Sequence, residues 1–340
     1  MNAREASAEG LRVSVVVIGR NEGLRLTRCL DSIREIRMPD GTIELIYVDS
    51  ASTDNSVEQA KSFGAQVIIV DPRRPCAAIG RNAGWRAARG SIVLFLDGDT
   101  VLAPDFVPCG LRELDADPRI GVVFGYRREL YPDISIYNRV LDLDWIVRPG
   151  EAEFCGGDAL IRREVLEAVG GYNERLIAGE EPELCSRIRA TGHKILCLDR
   201  KMVSHDLAIT HFSQYWRRAV RTGHAYAEVS GKAKPDQLPD WHRQTRLNRL
   251  KGAFMLALLV GCTIMTICIR STMPVLGALA IVAGLSLRTA TRTRWKRADY
   301  PTRLLHGVHS HLVHIPTLLG QIQYLKNRMT GRMAHLMEYK

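Results

Sequence analysis

The sequence predicts an α/β protein, a mixed, mainly parallel sheet with helices on both faces, followed by a membrane hairpin and an amphipathic helix. Three observations point there. Short β-branched runs alternate with helical stretches from Leu11 to Thr100, three of those runs end in polar or acidic residues, and two nearly uncharged apolar runs occupy the last third. At 340 residues, with 46% hydrophobic and 25% charged residues, the chain can bury a large core and carry an appendage, which excludes a disordered chain.

The strand runs are VSVVVI (13–18), IELIYV (43–48), QVIIV (66–70) and SIVLFL (91–96), separated by helical stretches over 24–36, 54–63 and 78–88. Continuous apolar strands between helices are what a sheet covered on both faces requires, so the layering is Rossmann-like. Ligands of such sheets sit beyond the carboxyl ends of the strands. Those ends carry Arg20-Asn21-Glu22, Asp49 and Asp97-Gly98-Asp99, so the sequence expects a binding rim there. A second block over 119–200 has a strand-like VVF (122–124), the turn CGGD (155–158), a helix over 163–169, the turn GGYNE (170–174) and an acidic turn entering a helix at 179–183. It is expected to complete the same domain, spanning 11–230 after a flexible N-terminus of residues 1–10.

The formal net charge of +10 is uneven, with basic residues thickening after about residue 215. A basic tail points to phosphate-rich partners. No nucleic-acid motif is present and the arginines adjoin apolar runs, so anionic membrane lipids are the expected partner and nucleic acid is not. After a basic linker (231–252), the runs 253–269 and 274–287 are at or below the ~20 residues a spanning helix prefers. Together they suggest a hairpin over 253–290, either spanning or re-entrant, with a hydrophobic hairpin buried in a soluble domain as the other reading. RLNRLKG before the first run and RTRWKR after the second place both flanks in the cytoplasm by the positive-inside rule. Residues 300–328 read as an interfacial amphipathic helix, and this explains His306, His309, His311 and His314 more simply than zinc does. The eight cysteines are scattered without CxxC pairs and read as reduced and cytosolic. MNAREASAEG has no apolar stretch of the kind a signal peptide needs, so the soluble part is expected in the cytoplasm.

The motif with the most chemistry is FLDGDT. Asp97 and Asp99, one residue apart at a strand end, can present oxygens to Mg2+ or Mn2+ whose other ligands are phosphate oxygens and water. Asp49 ends a second strand of the same sheet and can accept hydrogen bonds from a base or ribose, while Asp54 reads as a helix cap. Arg81 and Asn82 lie on the helix before the Asp97 strand, where Arg81 can pair with a phosphate or fasten the loop that covers it. Arg86 and Arg89 read as solvated helix charges.

In their order, SVVVIGRNE, VDSASTDNS, GRNAGWRAARG, FLDGDT, GGYNERL and GEEPELCSRIRATGHKI resemble the family 2 glycosyltransferases of GT-A fold, over about residues 11–215. The type it resembles is membrane-associated and serves exopolysaccharide or cell-envelope assembly. The resemblance implies a nucleoside-diphosphate-sugar donor bound by Asn21, Glu22, Asp49, Arg81, Asp97 and Asp99, a divalent cation, and inversion at the anomeric carbon. It also gives the acidic turn a role. Inverting transfer needs a base near the acceptor hydroxyl, and Glu181 is the candidate. The family commonly has Glu-Asp where this chain has Glu180-Glu181. Glu183 is explained by the helix N-terminus alone.

His205 is a candidate third metal ligand or a structural residue. Gln214, Trp216, Arg217 and Arg218 resemble the Gln-x-x-Arg-Trp element of processive members, but here the order is Gln-Tyr-Trp-Arg-Arg, so processivity does not follow. Gly156, Gly157 and Glu180 join these residues on the expected acceptor and diphosphate side. The expected acceptor is a saccharide or polyprenyl-linked hydroxyl at the cytoplasmic membrane. Two other readings stay open, a catalytically degenerate membrane-anchored scaffold and a sugar nucleotidyltransferase. The second would usually have more glycines after its first strand than Gly19-Arg20-Asn21-Glu22 supplies.

Overall fold

The computed structural model describes residues 11–38, 42–72 and 75–331. The N-terminus expected to be flexible, residues 1–10, lies outside them. Two compact units divide the chain: Met1–Leu130 with Val147–Leu207, and Tyr131–Ile146 with Ala208–Lys340.

The first unit runs β1 (Leu11–Gly19), α1 (Leu24–Arg34), β2 (Thr42–Asp49), α2 (Ser56–Ser62), β3 (Gln66–Ile69), α3 (Ala77–Ala87), β4 (Ile92–Asp97), β5 (Thr100–Leu102), α4 (Phe106–Ala116) and β6 (Ile120–Glu129). After α5 (Ile136–Asp144), which belongs to the other unit, come β7 (Gly150–Glu151), β8 (Ala159–Arg162), α6 (Arg163–Val169), α7 (Glu180–Ala190) and β9 (Lys194–His205). The sheet order is β3-β2-β1-β4-β8-β6-β9-β5, with β7 beside β9. It is mixed: β3, β2, β1 and β4 are parallel, β8 runs antiparallel between β4 and β6, and β6 and β9 are again parallel. This is the α/β architecture that alternating apolar strands and helices called for. Val15, Val16 and Val17 are fully buried, as are Val93, Leu94 and Phe95 of β4, because side chains on both faces meet helices.

Register positions the rim. Gly19 pairs with Asp49 and Ile18 with Asp97, so the ends of β1, β2 and β4 lie side by side. At the far side, β5 pairs antiparallel with β9, with Thr100 opposite His205. Ala159 pairs with Phe95, which places Asp158 next to the end of β4.

The second unit is helical: α5, α8 (Phe212–Lys232), α9 (Pro239–Ile269), α10 (Met273–Arg292), α11 (Tyr300–Leu312) and α12 (His314–Met329). α12 packs on α8 and α9, and α11 on α10 and α5. The α8–α12 approach is close enough that a Cβ at Gly320 would strike the carbonyl oxygen of Val220. α9 and α10 are long and apolar enough to cross a membrane, and only 11% and 17% of their apolar windows are buried. Phe254, Val260, Ile264, Ile267, Leu276 and Leu279 point outward. A buried soluble hairpin would hide such side chains.

Three details differ from the sequence expectations. The unit boundary falls at 207 rather than 230, because α8 packs with the C-terminal helices. Most of the expected linker is helix, since Pro239 opens α9 and its basic turns continue into the apolar run. The expected helix over 300–328 is two helices: Pro316 has no N–H to give the carbonyl of Leu312, where α11 ends. Three of the four histidines on these helices do not face outward. His306, His309 and His314 are buried within the unit, and both Nε2 atoms of His306 and His309 lie 2.9 Å from the carboxylate of Asp144. Partial desolvation pushes the two-fifths-exposed Asp144 carboxyl up, but His309 and His306 hold it well below the usual carboxylate range.

Candidate active site

At the end of β2, Asp49 is 1% exposed and organises the following loop. Its carboxylate accepts from the Ser52 backbone N–H (2.7 Å), the Ser52 hydroxyl (2.6 Å) and the Tyr47 hydroxyl (3.0 Å). Asn21, in the left-handed region at φ 56°, accepts from the Thr53 N–H at 2.7 Å and donates its own N–H to Ser52 Oγ at 2.9 Å. The two strand-end loops are thus stitched together in a conformation that a non-glycine residue adopts only when its surroundings enforce it. Glu22 pairs with Arg25 at 3.0 Å, and a Cβ at Gly98 would lie 3.1 Å from its Cγ.

Arg81 is the hub of the site. Its guanidinium is 3% exposed and donates to Asp97 Oδ1 (2.9 Å) and Glu180 Oε1 (2.9 Å), with Glu181 Oε1 at 3.1 Å. Through these pairs Arg81 ties α3 to the end of β4 and to the first turn of α7. Its neighbour Asn82 holds the GGYNE turn, donating to the Tyr172 carbonyl (2.9 Å) and Glu174 (2.7 Å). Arg127 on β6 bridges Asp97 (3.4 Å) and Asp158, and the Asp97 N–H donates to Asp158 at 3.1 Å. Gly157 is required here because a Cβ would collide with Arg81 Nη2 and lie 3.1 Å from Asp97 Oδ2. Gly156 precedes it in open space.

The electrostatics follow from these contacts. Burial and then the adjacent Glu180 push the Glu181 carboxyl up to about 7, against the pull of Arg81. Burial also raises Asp158, against Arg127. Asp99 and His205 face each other, Oδ1 to Nε2 at 3.2 Å, both buried. Burial and the Arg127 charge lower His205 to about 4, so its imidazole is neutral at pH 7.

The structure brings Asn21, Glu22, Asp49, Arg81, Asp97, Asp99, Gly157, Glu180, Glu181 and His205 into the first unit's rim. Gln214, Trp216, Arg217 and Arg218 lie on α8 of the other unit. There Gln214 caps the helix, accepting from the His211 N–H at 3.0 Å, and Trp216 packs on Phe212 with centroids 5.6 Å apart. Sequence reasoning missed Arg127 and Asp158. The only signals for them were the change from apolar to YRRE late in β6 and the acid after Gly156-Gly157. Arg89, read as a solvated helix charge, is exposed as expected, but it lies past the end of α3 and pairs at 2.7 Å with the buried Glu44.

Residues 14–170 match the family model for glycosyl transferase family 2. The chain carries a family 2 glycosyltransferase domain. The chain is 24% identical over 213 residues to the probable glycosyltransferase YdaM of Bacillus subtilis, the match covering 56% of this chain and 50% of that protein. It is 36% identical over 135 residues to the glucosyl-3-phosphoglycerate synthase of Mycobacterium tuberculosis, covering 37% and 41%. The chain therefore spans half or less of the length of these two relatives. Among solved structures, the mannosyltransferase PcManGT of Pyrobaculum calidifontis, in complex with GDP-Man and Mn2+, superposes with a TM-score of 0.61 at 22% identity. The match covers 94% of this chain and 88% of that one. The glycosyltransferase domain shares its GT-A fold.

Proposed function

We propose that this chain is a metal-dependent inverting glycosyltransferase that moves a sugar from a nucleoside-diphosphate donor to a hydroxyl of a saccharide or lipid-linked acceptor at the cytoplasmic face of a membrane. The observation that carries the proposal is Glu181, a carboxyl whose side chain is 17% exposed, raised to about 7 and held by Arg81 beside Asp97 at the strand-end rim of a family 2 domain. A base in that range is half ionised near neutral pH and can take a proton from an acceptor hydroxyl as the glycosidic bond forms. Arg81 fixes its position by tying α7 to the end of β4, so the base keeps its reach without a flexible loop. The Asn21–Ser52–Thr53 loop, shaped by Asp49, offers a rigid rim for the nucleoside.

The donor set suits a divalent cation. A carboxylate and a neutral imidazole already adjacent, Asp99 and His205, are ligands that Mn2+ accepts. Among the described residues no group of three or more His, Cys, Asp or Glu could hold a metal, so diphosphate oxygens and water would complete the shell. Both oxygens of Asp97 face guanidinium groups, which gives it the supporting part. When bound, the ion would neutralise the charge that builds on the departing nucleoside diphosphate.

The outward apolar side chains of α9 and α10 and their basic flanks support a membrane hairpin. Within the second unit, an apolar cavity of about 400 Å3 lined by Tyr137, Phe212, Trp216, Leu259 and Leu305 suits the chain of a lipid-linked acceptor. Calorimetric titration of detergent-purified protein with UDP, GDP, CDP and dTDP in the presence of Mn2+ tests the donor site. One diphosphate should bind at micromolar strength, and EDTA or Asp99→Ala should abolish that binding. If none binds with metal present, the transferase reading fails and a membrane-anchored scaffold takes its place.

A further inference from the structure

A second cavity of the helical unit, of about 660 Å3, is lined by basic groups: Arg243, Arg246 and Arg249 of α9 and Arg328 of α12, with Ser230 and Tyr324. Among the described residues no carboxylate lines it. Among the described residues no acid pairs with Arg246 or Arg328, and Arg243 reaches only the exposed Asp240 at 3.1 Å. Arg249 is held in place because its Nε donates to Gln321 Oε1 at 3.2 Å. Gln321 is itself 1% exposed and donates to the Thr245 carbonyl at 3.1 Å. Three arginines spaced i, i+3 and i+6 repel one another, so an anion among them lowers their energy.

The position along α9 says which anion. The uncharged run begins at Ala253, so Arg249 and Arg246 lie four and seven residues before it, about 6 and 10 Å along the axis at ~1.5 Å per residue. A headgroup layer extends roughly 5–8 Å beyond the hydrocarbon, and arginine side chains reach several ångströms along the axis. The cavity volume is also within the range of about 300–1,000 Å3 usual for small-ligand sites. We propose that this cavity binds the phosphate headgroup of an anionic membrane phospholipid, holding the end of α9 at the cytoplasmic surface. The inference rests on the reading that α9 and α10 enter the membrane.

The test uses the full chain purified in detergent and native mass spectrometry with added phosphatidylglycerol or phosphatidylcholine, with inorganic phosphate and pyrophosphate as competitors. The Arg246→Gln/Arg249→Gln double variant is compared with Arg292→Gln/Arg294→Gln, which removes the same charge from the other basic flank. Each surface arginine is worth about fivefold in anionic-lipid binding, so the cavity variant should bind phosphatidylglycerol about 30-fold more weakly. The flank variant should change by less than about threefold, and phosphatidylcholine should bind neither protein comparably. Because these arginines are exposed, both variants should keep the parent unfolding temperature. Equal losses in both variants would mean diffuse surface attraction and overturn the site. Displacement of the lipid by equimolar pyrophosphate would overturn the lipid assignment. Recovery of the chain from the soluble fraction of cells overturns the membrane reading along with the inference, whereas membrane recovery with unchanged lipid binding in the variants overturns the inference alone.

Discussion

Replacing Glu181 with glutamine keeps the shape of the side chain and removes its ability to take a proton. Burial and the adjacent Glu180 raise the carboxyl from its ordinary value to about 7, which sets on the order of 3 kcal/mol against its ionisation. The ionised fraction is then roughly one in ten at pH 6 and nine in ten at pH 8, so kcat/KM of the parent should rise about tenfold across that window. In Glu181→Gln, turnover should fall by about 10²- to 10⁴-fold, the value of a positioned general base, and the inflection near pH 7 should disappear. Diphosphate affinity should stay within about threefold. Stability responds in the opposite sense. Between pH 4.5 and 7 the folded protein holds a proton at Glu181 that the unfolded chain has released, so this residue makes the parent lose stability as pH rises through that window. The variant, with no charge to bury, should be at least as stable as the parent at pH 8. The assays are nucleoside-diphosphate release from the donor found by calorimetry, and urea unfolding at pH 5 and 8. A variant with turnover within threefold of the parent and the same acidic limb would refute the assignment of Glu181 as the base.

Other outcomes follow from the same geometry. Arg81→Lys keeps one charge but cannot span three carboxylates, so the acidic limb of the pH profile should move above 7 as Glu181 loses the contact that lowers it. Gly157→Ala forces a methyl against the locked Arg81 guanidinium and Asp97. It should cost about 1–3 kcal/mol of stability and reduce turnover at least tenfold, measured by thermal unfolding and diphosphate release. Asp144→Asn removes the charge that His306 and His309 share at 2.9 Å each. Because Asp144 is two-fifths exposed, the loss should be limited to about 2 kcal/mol, seen as a fall of roughly 4–8 °C in the unfolding midpoint with diphosphate binding unchanged.

Much of the fold was legible because its signals are local. A short β-branched run such as VSVVVI reads as a strand covered on both faces, and acids at the ends of β2 and β4 reach one rim because neighbouring parallel strands are in register. The helix over 163–169 and the two apolar runs were equally plain. The break at Val313 was in principle readable from Pro316, but the amphipathic pattern continues across it and conceals it.

From the sequence alone came the layered sheet, the strand-end carboxylates, the acidic turn holding Glu181 and the apolar hairpin, all of them fixed by residues close together in the chain. Tertiary structure alone decided that Arg81 joins Asp97 to Glu180 and Glu181 across about a hundred residues, and that Arg127 and Asp158 brace Asp97. It also decided that His205 meets Asp99 and that His306 and His309 close on Asp144. The physical reason is one of range. Propensity and periodicity act over a few residues, whereas a buried charge finds its partner through sheet order and helix packing, which no short window contains.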